Sequence, residues 1–221
     1  MKQLINIVLI FVLVTCLFAC EKNEGTTNSI QNANVEETID VINQTLDADF
    51  NVEIDEIENG KTLVFSRMLT DVEDLKKLDI TDEYQSACAV VFTLARFEED
   101  FSKGEEMLEY INGPEDVSKF DIDFIKNQID QYPYVVRSYF NNTSLEDNYT
   151  IKEVSITVLE NTYSRDEEGY VKLWLHSSGA DSNRSVMLRQ KESTKEWFLF
   201  SDTYKGLMAG IRIPAENDKW S

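Results

Sequence analysis

The stretch EVSITVLENTYSRDEEGYVKLWLHSSGADSNRSVMLRQKESTKEWFLF, residues 153–200, decides the fold. Its apolar side chains recur at every second position: Val154, Ile156 and Val158, then Val171, Leu173 and Leu175. That is the period of a strand with one buried face, because successive side chains on a strand point to opposite sides. SVMLRQKE and EWFLFSDTY follow as two more strands around the tight connection ESTK. Four strands in succession, separated by polar connections, predict an antiparallel meander.

Upstream of residue 153 the period lengthens. In VEETIDVINQTLDA, Val35, Ile39, Ile42 and Leu46 fall on one helical face. NVEIDEIENGKTLVFSRML alternates instead, and its Asn59-Gly60 pair is the strongest short-range hairpin signal. A short helix is expected over residues 70–78, with Thr70 and Glu73 as a capping box. Thr81 is then placed to cap a core helix whose apolar face comprises Tyr84, Ala87, Cys88, Val91, Leu94 and Ala95. Ser102 and Glu105 make another capping box, and Gly113-Pro114 closes that helix. DIDFIKNQIDQYPYVVRSYF reads as one or two helical segments broken near Pro133. Helices first and a meander last predict an α+β domain whose helix-rich half packs on the sheet. An NTF2-like or cystatin-like cone accommodates that order.

The start of the chain has a different character. Lys2 is the only charge before Cys20, and residues 4–19 are almost entirely apolar. A basic start and a short apolar core read as an export signal. It is shorter than the roughly 20 apolar residues of a membrane span. It ends Leu17-Phe18-Ala19-Cys20, which resembles the lipobox of bacterial lipoproteins, with Phe18 bulkier than that position usually holds. The resemblance implies that Cys20 carries a thioether-linked diacylglycerol and becomes the mature N-terminus, while Cys16 leaves with the signal. The expected organisation is a signal over residues 1–19, a polar tether over 20–35, and a single α+β domain over 36–221. The expected location is the extracytoplasmic face of a cell membrane, with the lipid anchor as the contact to it.

Charge narrows the function classes. Twenty-one basic residues stand against 41 acidic ones, a formal net charge of −20. Such a surface repels phosphate backbones, so nucleic acid is not expected as a partner. With Cys20 acylated, only Cys88 remains after processing, and no intramolecular disulfide can form. Cys88 lies in the apolar run SACAVVFTLA and reads as a small buried hydrophobe. No cofactor is expected.

SSGADSNRSVMLRQKESTKEWFLF, followed by AGIRIPAENDKWS, resembles an uncharacterised domain family found in exported bacterial proteins. Gly179, Ala180, Asp181, Ser182, Arg184, Leu188, Arg189, Trp197, Arg212, Pro214 and Trp220 match its form. Asn183, Ser185 and Lys219 stand where that form carries prolines. The resemblance implies kinship but no activity.

Candidate sites are few. Arg184 and Arg189 are basic residues in an acidic chain, and a guanidinium presents a planar fork that suits a carboxylate or phosphate. The structural alternative has them pinning the loop with Asp181 and nearby acids. Residues 47–58 place Asp47, Asp49, Asn51, Ile54 and Glu58 in EF-hand register, with Val52 where that loop has its glycine. The sole histidine, His176, has no nucleophile elbow to serve and no Cys or His partners for zinc. Trp174, Trp197, Phe198, Phe200 and Tyr204 either line a cleft or form the sheet core. Two functions remain: a non-catalytic lipoprotein domain binding a small molecule or protein, or an envelope glycan hydrolase using paired carboxylates.

Overall fold

In the computed structural model, residues 50–220 are described. The leader, Cys20, the tether, the helix expected over residues 35–46, and Asp47 and Asp49 lie outside them. Strands β1 (Val52–Ile57) and β2 (Gly60–Phe65) form the expected hairpin. Asn59 takes a left-handed φ of 60° at its turn. Four helices follow: α1 (Val72–Leu75), α2 (Glu83–Glu99), α3 (Phe101–Asn112) and α4 (Lys119–Gln131). Short 3-10 turns at Val136–Tyr139 and Leu145–Asp147 lead into β3 (Ser155–Leu159). Then come β4 (Tyr170–Leu175), β5 (Arg184–Gln190), β6 (Trp197–Leu199) and a 3-10 segment, Thr203–Met208.

All six strands form one antiparallel sheet in chain order, β1 to β6. The fold is therefore α+β. The early hairpin joins the later strands because β2 pairs with β3, Leu63 opposite Ile156 and Thr62 opposite Thr157. The helices are thus an insertion within a six-stranded meander.

One face of the sheet is buried by the period-two pattern. Leu63, Phe65, Ile156, Val158, Val171, Leu173, Leu175, Val186 and Leu188 all lie on it, each at 3 % exposure or less. Full burial of one such side chain contributes about 1.5–3 kcal/mol. Helix α2 lies against this face and is buried nearly all round, so its apolar surface exceeds one stripe. Phe92 meets Phe65 edge-to-face at 4.8 Å and Phe140 at 5.8 Å, tying helix, hairpin and β3 approach together.

The helix caps fall on aspartates beside the expected hydroxyl residues. Asp71 caps α1 in place of Thr70, accepting from the Asp74 amide at 3.0 Å. Thr70 is drawn instead to the Asp74 carboxylate. Asp82 caps α2, because Thr81 already donates its amide and hydroxyl to Asp79. Asp100 caps α3 one residue before its start, leaving Ser102 inside the first turn. A carboxylate is at least as good an acceptor for these amides as a hydroxyl.

Asp74 is the most deeply placed charge of the helical layer. Arg67 donates to both its oxygens, one at 2.7 Å, and Thr70 adds amide and hydroxyl bonds. The Arg67 guanidinium holds this carboxyl well below the usual range, against the opposing effect of burial. A depressed folded-state pKa contributes stability above the unfolded pKa that disappears as pH falls. Acid denaturation monitored by circular dichroism should therefore show Asp74→Asn destabilised at pH 7, by about 2 kcal/mol given the partial exposure of Arg67. The gap between variant and wild type should begin to narrow below about pH 4, the ordinary aspartate range, and close only as the folded-state carboxyl itself takes up a proton at much lower pH. A gap that did not narrow at all on acidification would show that charge is not its source.

Candidate functional site

The loop after β4 folds into a clasp on the C-terminal segment. Gly179 is buried, and its carbonyl accepts from the Arg212 amide at 2.9 Å. A β-carbon at Gly179 would lie 2.6 Å from both the Tyr149 hydroxyl and Ile211 Cγ2. The Tyr149 hydroxyl in turn donates to the Arg212 carbonyl at 3.0 Å. Ser177 and Ser178 hydroxyls bond Ser138 and Thr143, which anchors the loop to the turn after α4.

Asp181 and Arg184 belong to this clasp, but they do not pair with each other. Asp181 is exposed and meets Arg212 at 2.9 Å. Arg184 reaches the Ser182 carbonyl and hydroxyl at 2.9 Å and the carbonyls of Ala209 and Gly210 at 3.3 Å. Its fork is spent on backbone oxygens. The most distinctive residues of the loop therefore hold the chain end in place.

Arg189 lies elsewhere. In β5 it sits on the sheet face opposite the helices, directly across from Tyr170 on β4 and Phe198 on β6. It lines an open cleft of about 650 Å³ bounded by the β5–β6 connection, the start of β4 and the end of α3. Its guanidinium carbon lies 5.5 Å from the Tyr170 ring centre and 5.9 Å from that of Phe200, and those rings meet edge-to-face at 4.8 Å. Stacking orients the planar group without consuming its donors. The end of α3 can approach because Gly113 adopts φ 64° and lacks the β-carbon that would stand 2.6 Å from the Phe198 ring.

The cleft gathers three cations, Arg189, Lys191 and Lys195, in an acidic chain. Several cations outside it are closely neutralised: Lys205, for example, sits 2.7 Å from Asp121 and 3.1 Å from Asp202, and Asp121 holds its ammonium above the ordinary range. Arg189 is half exposed, and its nearest carboxylate, on Glu115, is 3.8 Å away. Lys191 and Lys195 also line the cleft, and among the described residues no carboxylate lies within ion-pair range of either. Glu168 and Glu192 complete the rim.

The other sequence candidates are spread apart. Asn51 and Glu58 stand at opposite ends of extended β1, about 23 Å apart at 3.3 Å per residue. Among the described residues no group of three or more acidic, His or Cys side chains is placed to hold a metal. His176 is exposed, with Nδ1 3.4 Å from the Asn183 side-chain oxygen. Trp197 and Tyr204 turn toward the core, whereas Phe198 and Phe200 line the cleft. Tyr170, Lys191 and Lys195 were not singled out from sequence. Tyr170 follows from the β4–β5 register, which sets it opposite Arg189, and Lys191 and Lys195 from the turn that continues β5.

Among the described residues no helix is long and apolar enough to cross a membrane. No curated protein and no solved structure matches the chain. The model of a domain of unknown function, DUF6935, matches residues 65–215, which take in most of the sheet, all four helices and the whole clasp. On that match the chain belongs to the DUF6935 family.

Proposed function

We propose that the chain is a bacterial lipoprotein, held at the extracytoplasmic face of a membrane through a diacylglycerol on Cys20. On this reading its domain binds a small organic anion without chemical conversion, in the cleft around Arg189. Leu17-Phe18-Ala19-Cys20 supports the anchor, and two acyl chains on one residue meet the requirement for stable membrane attachment. A cone-like sheet of the NTF2-like or cystatin-like kind is the architecture we assign to the domain, from helices packed on one face of an antiparallel meander.

The observation that carries the binding reading is the oriented, weakly neutralised Arg189 guanidinium between two aromatic rings. A carboxylate accepts two parallel hydrogen bonds from such a fork. A flat body attached to it would lie on Tyr170, Phe198 and Phe200. Lys191 and Lys195 add attraction at the rim. Titration calorimetry of the full chain with benzoate and with inorganic phosphate tests this. Benzoate is expected to bind, and Arg189→Ala to weaken it by about 10- to 100-fold, the loss of one charge-assisted contact. Equal affinity in the variant would remove Arg189 from the site, and no heat with either anion would sink the reading.

A further inference from the structure

Resting on the Arg189 reading, we infer that the ligand is a short peptide. Its terminal carboxylate lies on Arg189 and its terminal ammonium in an acidic cavity that continues the cleft. That second cavity, of about 620 Å³, is walled by the segment joining α3 to α4 and by the chain leaving β6. Asn112, Glu115 and Phe200 line both cavities, so the two form one trough with the Phe200 ring shared between its ends. Ser201 takes a left-handed φ of 62° directly after Phe200, and Asp202 follows it into the second cavity.

The two ends carry opposite charge. Arg189, Lys191 and Lys195 line the first. Glu115, Asp116, Asp121 and Asp202 line the second, against one cation, Lys205. Lys205 displays the chemistry this end offers: its ammonium lies between Asp121 and Asp202, 5.1 Å from the Phe120 ring centre and 5.5 Å from that of Phe124. Phe120 is still 72 % exposed, which leaves its ring open to a second ammonium. Among the described residues no lysine or arginine lies within ion-pair range of Asp116. Tyr204 is an independent pointer. It is buried in the wall of this cavity, yet its hydroxyl has no hydrogen-bond partner. Asp121, beside it, is already engaged by Lys205 and Ser118. Burial and Asp121 hold that hydroxyl far above the ordinary phenol range, so it stays a donor, and a peptide carbonyl is the acceptor it lacks.

The span sets the length of the ligand. The Arg189 guanidinium carbon is 5.9 Å from the Phe200 ring centre and Asp202 lies two residues beyond, so the charged ends stand on the order of 10 Å apart. An extended chain covers about 3.3–3.6 Å per residue, so three residues reach both ends and a single amino acid reaches only one.

Titration calorimetry of the full chain with the tripeptide Gly-Gly-Phe, its N-acetylated form and benzoate tests the assignment. The free tripeptide is expected to bind about five- to tenfold more tightly than the acetylated one, the range of one partly exposed ammonium contact. The double variant Asp116→Asn, Asp202→Asn should bind both peptides equally and keep benzoate affinity within about twofold of wild type. Tyr204→Phe should weaken both peptides by about threefold or more and leave benzoate unchanged. Equal binding of the two peptides by wild type, or a preference that survives the double variant, would overturn the peptide assignment, while benzoate binding would keep the Arg189 reading intact. No heat with benzoate or either peptide would remove the Arg189 site itself, and this inference with it.

Discussion

Gly179→Ala is expected to lower the melting temperature of the domain by about 6–12 °C, a loss of about 3 kcal/mol. The added methyl has nowhere to go. It would stand 2.6 Å from the Tyr149 hydroxyl and from Ile211 Cγ2, and 2.9 Å from the Tyr149 ring, all inside a buried clasp. Tyr149 cannot retreat freely, because its ring stacks on Tyr134 at 6.0 Å and its hydroxyl holds the Arg212 carbonyl. Overpacking of this kind costs about 1–3 kcal/mol, and loss of the Tyr149 and Gly179 hydrogen bonds adds about 1 kcal/mol. Gly206→Ala is the control. Nothing lies within 4 Å of its added carbon, so its melting temperature should stay within about 2 °C of wild type. Equal shifts in the two variants, read by calorimetry, would mean that the clasp does not brace the fold.

Cys20→Ala is expected to abolish incorporation of a labelled fatty acid when the chain is expressed in a bacterium that processes lipoproteins. It should also move the protein from the membrane to the soluble fraction. Each buried methylene contributes about 0.8 kcal/mol, so two acyl chains account for essentially the whole attachment. The acidic surface offers no electrostatic substitute, since it is repelled by anionic headgroups. Cys16→Ala should leave label and fractionation unchanged. Undiminished label in Cys20→Ala would overturn the anchor.

The sheet was legible in the sequence because its signal is local. Val171, Leu173 and Leu175 alternate with Lys172 and Trp174, and that alternation survives intact as buried and partly exposed positions. The hairpin was legible for the same reason, through Asn59-Gly60. Its membership of the same sheet was not, because the β2–β3 pairing joins residues about ninety positions apart. The caps were misplaced by one or two residues because Asp79, Asp82 and Asp74 compete for the same amides and hydroxyls as Thr70 and Thr81. Local spacing does not reveal which acid wins. Arg184 and Arg189 looked equivalent in the sequence and are not. What separates them is the return of residues 209–212 over the first and the ring pair under the second. Both are tertiary facts.

Binding at the Arg189 cleft is tested most directly by nuclear magnetic resonance of the isotopically labelled full chain during a benzoate titration. The predicted result is a set of saturable shifts confined to Arg189, Tyr170, Phe198, Phe200 and the Lys191 and Lys195 amides, lost in Arg189→Ala. Shifts centred on another face, or a spectrum unchanged by benzoate, would contradict it.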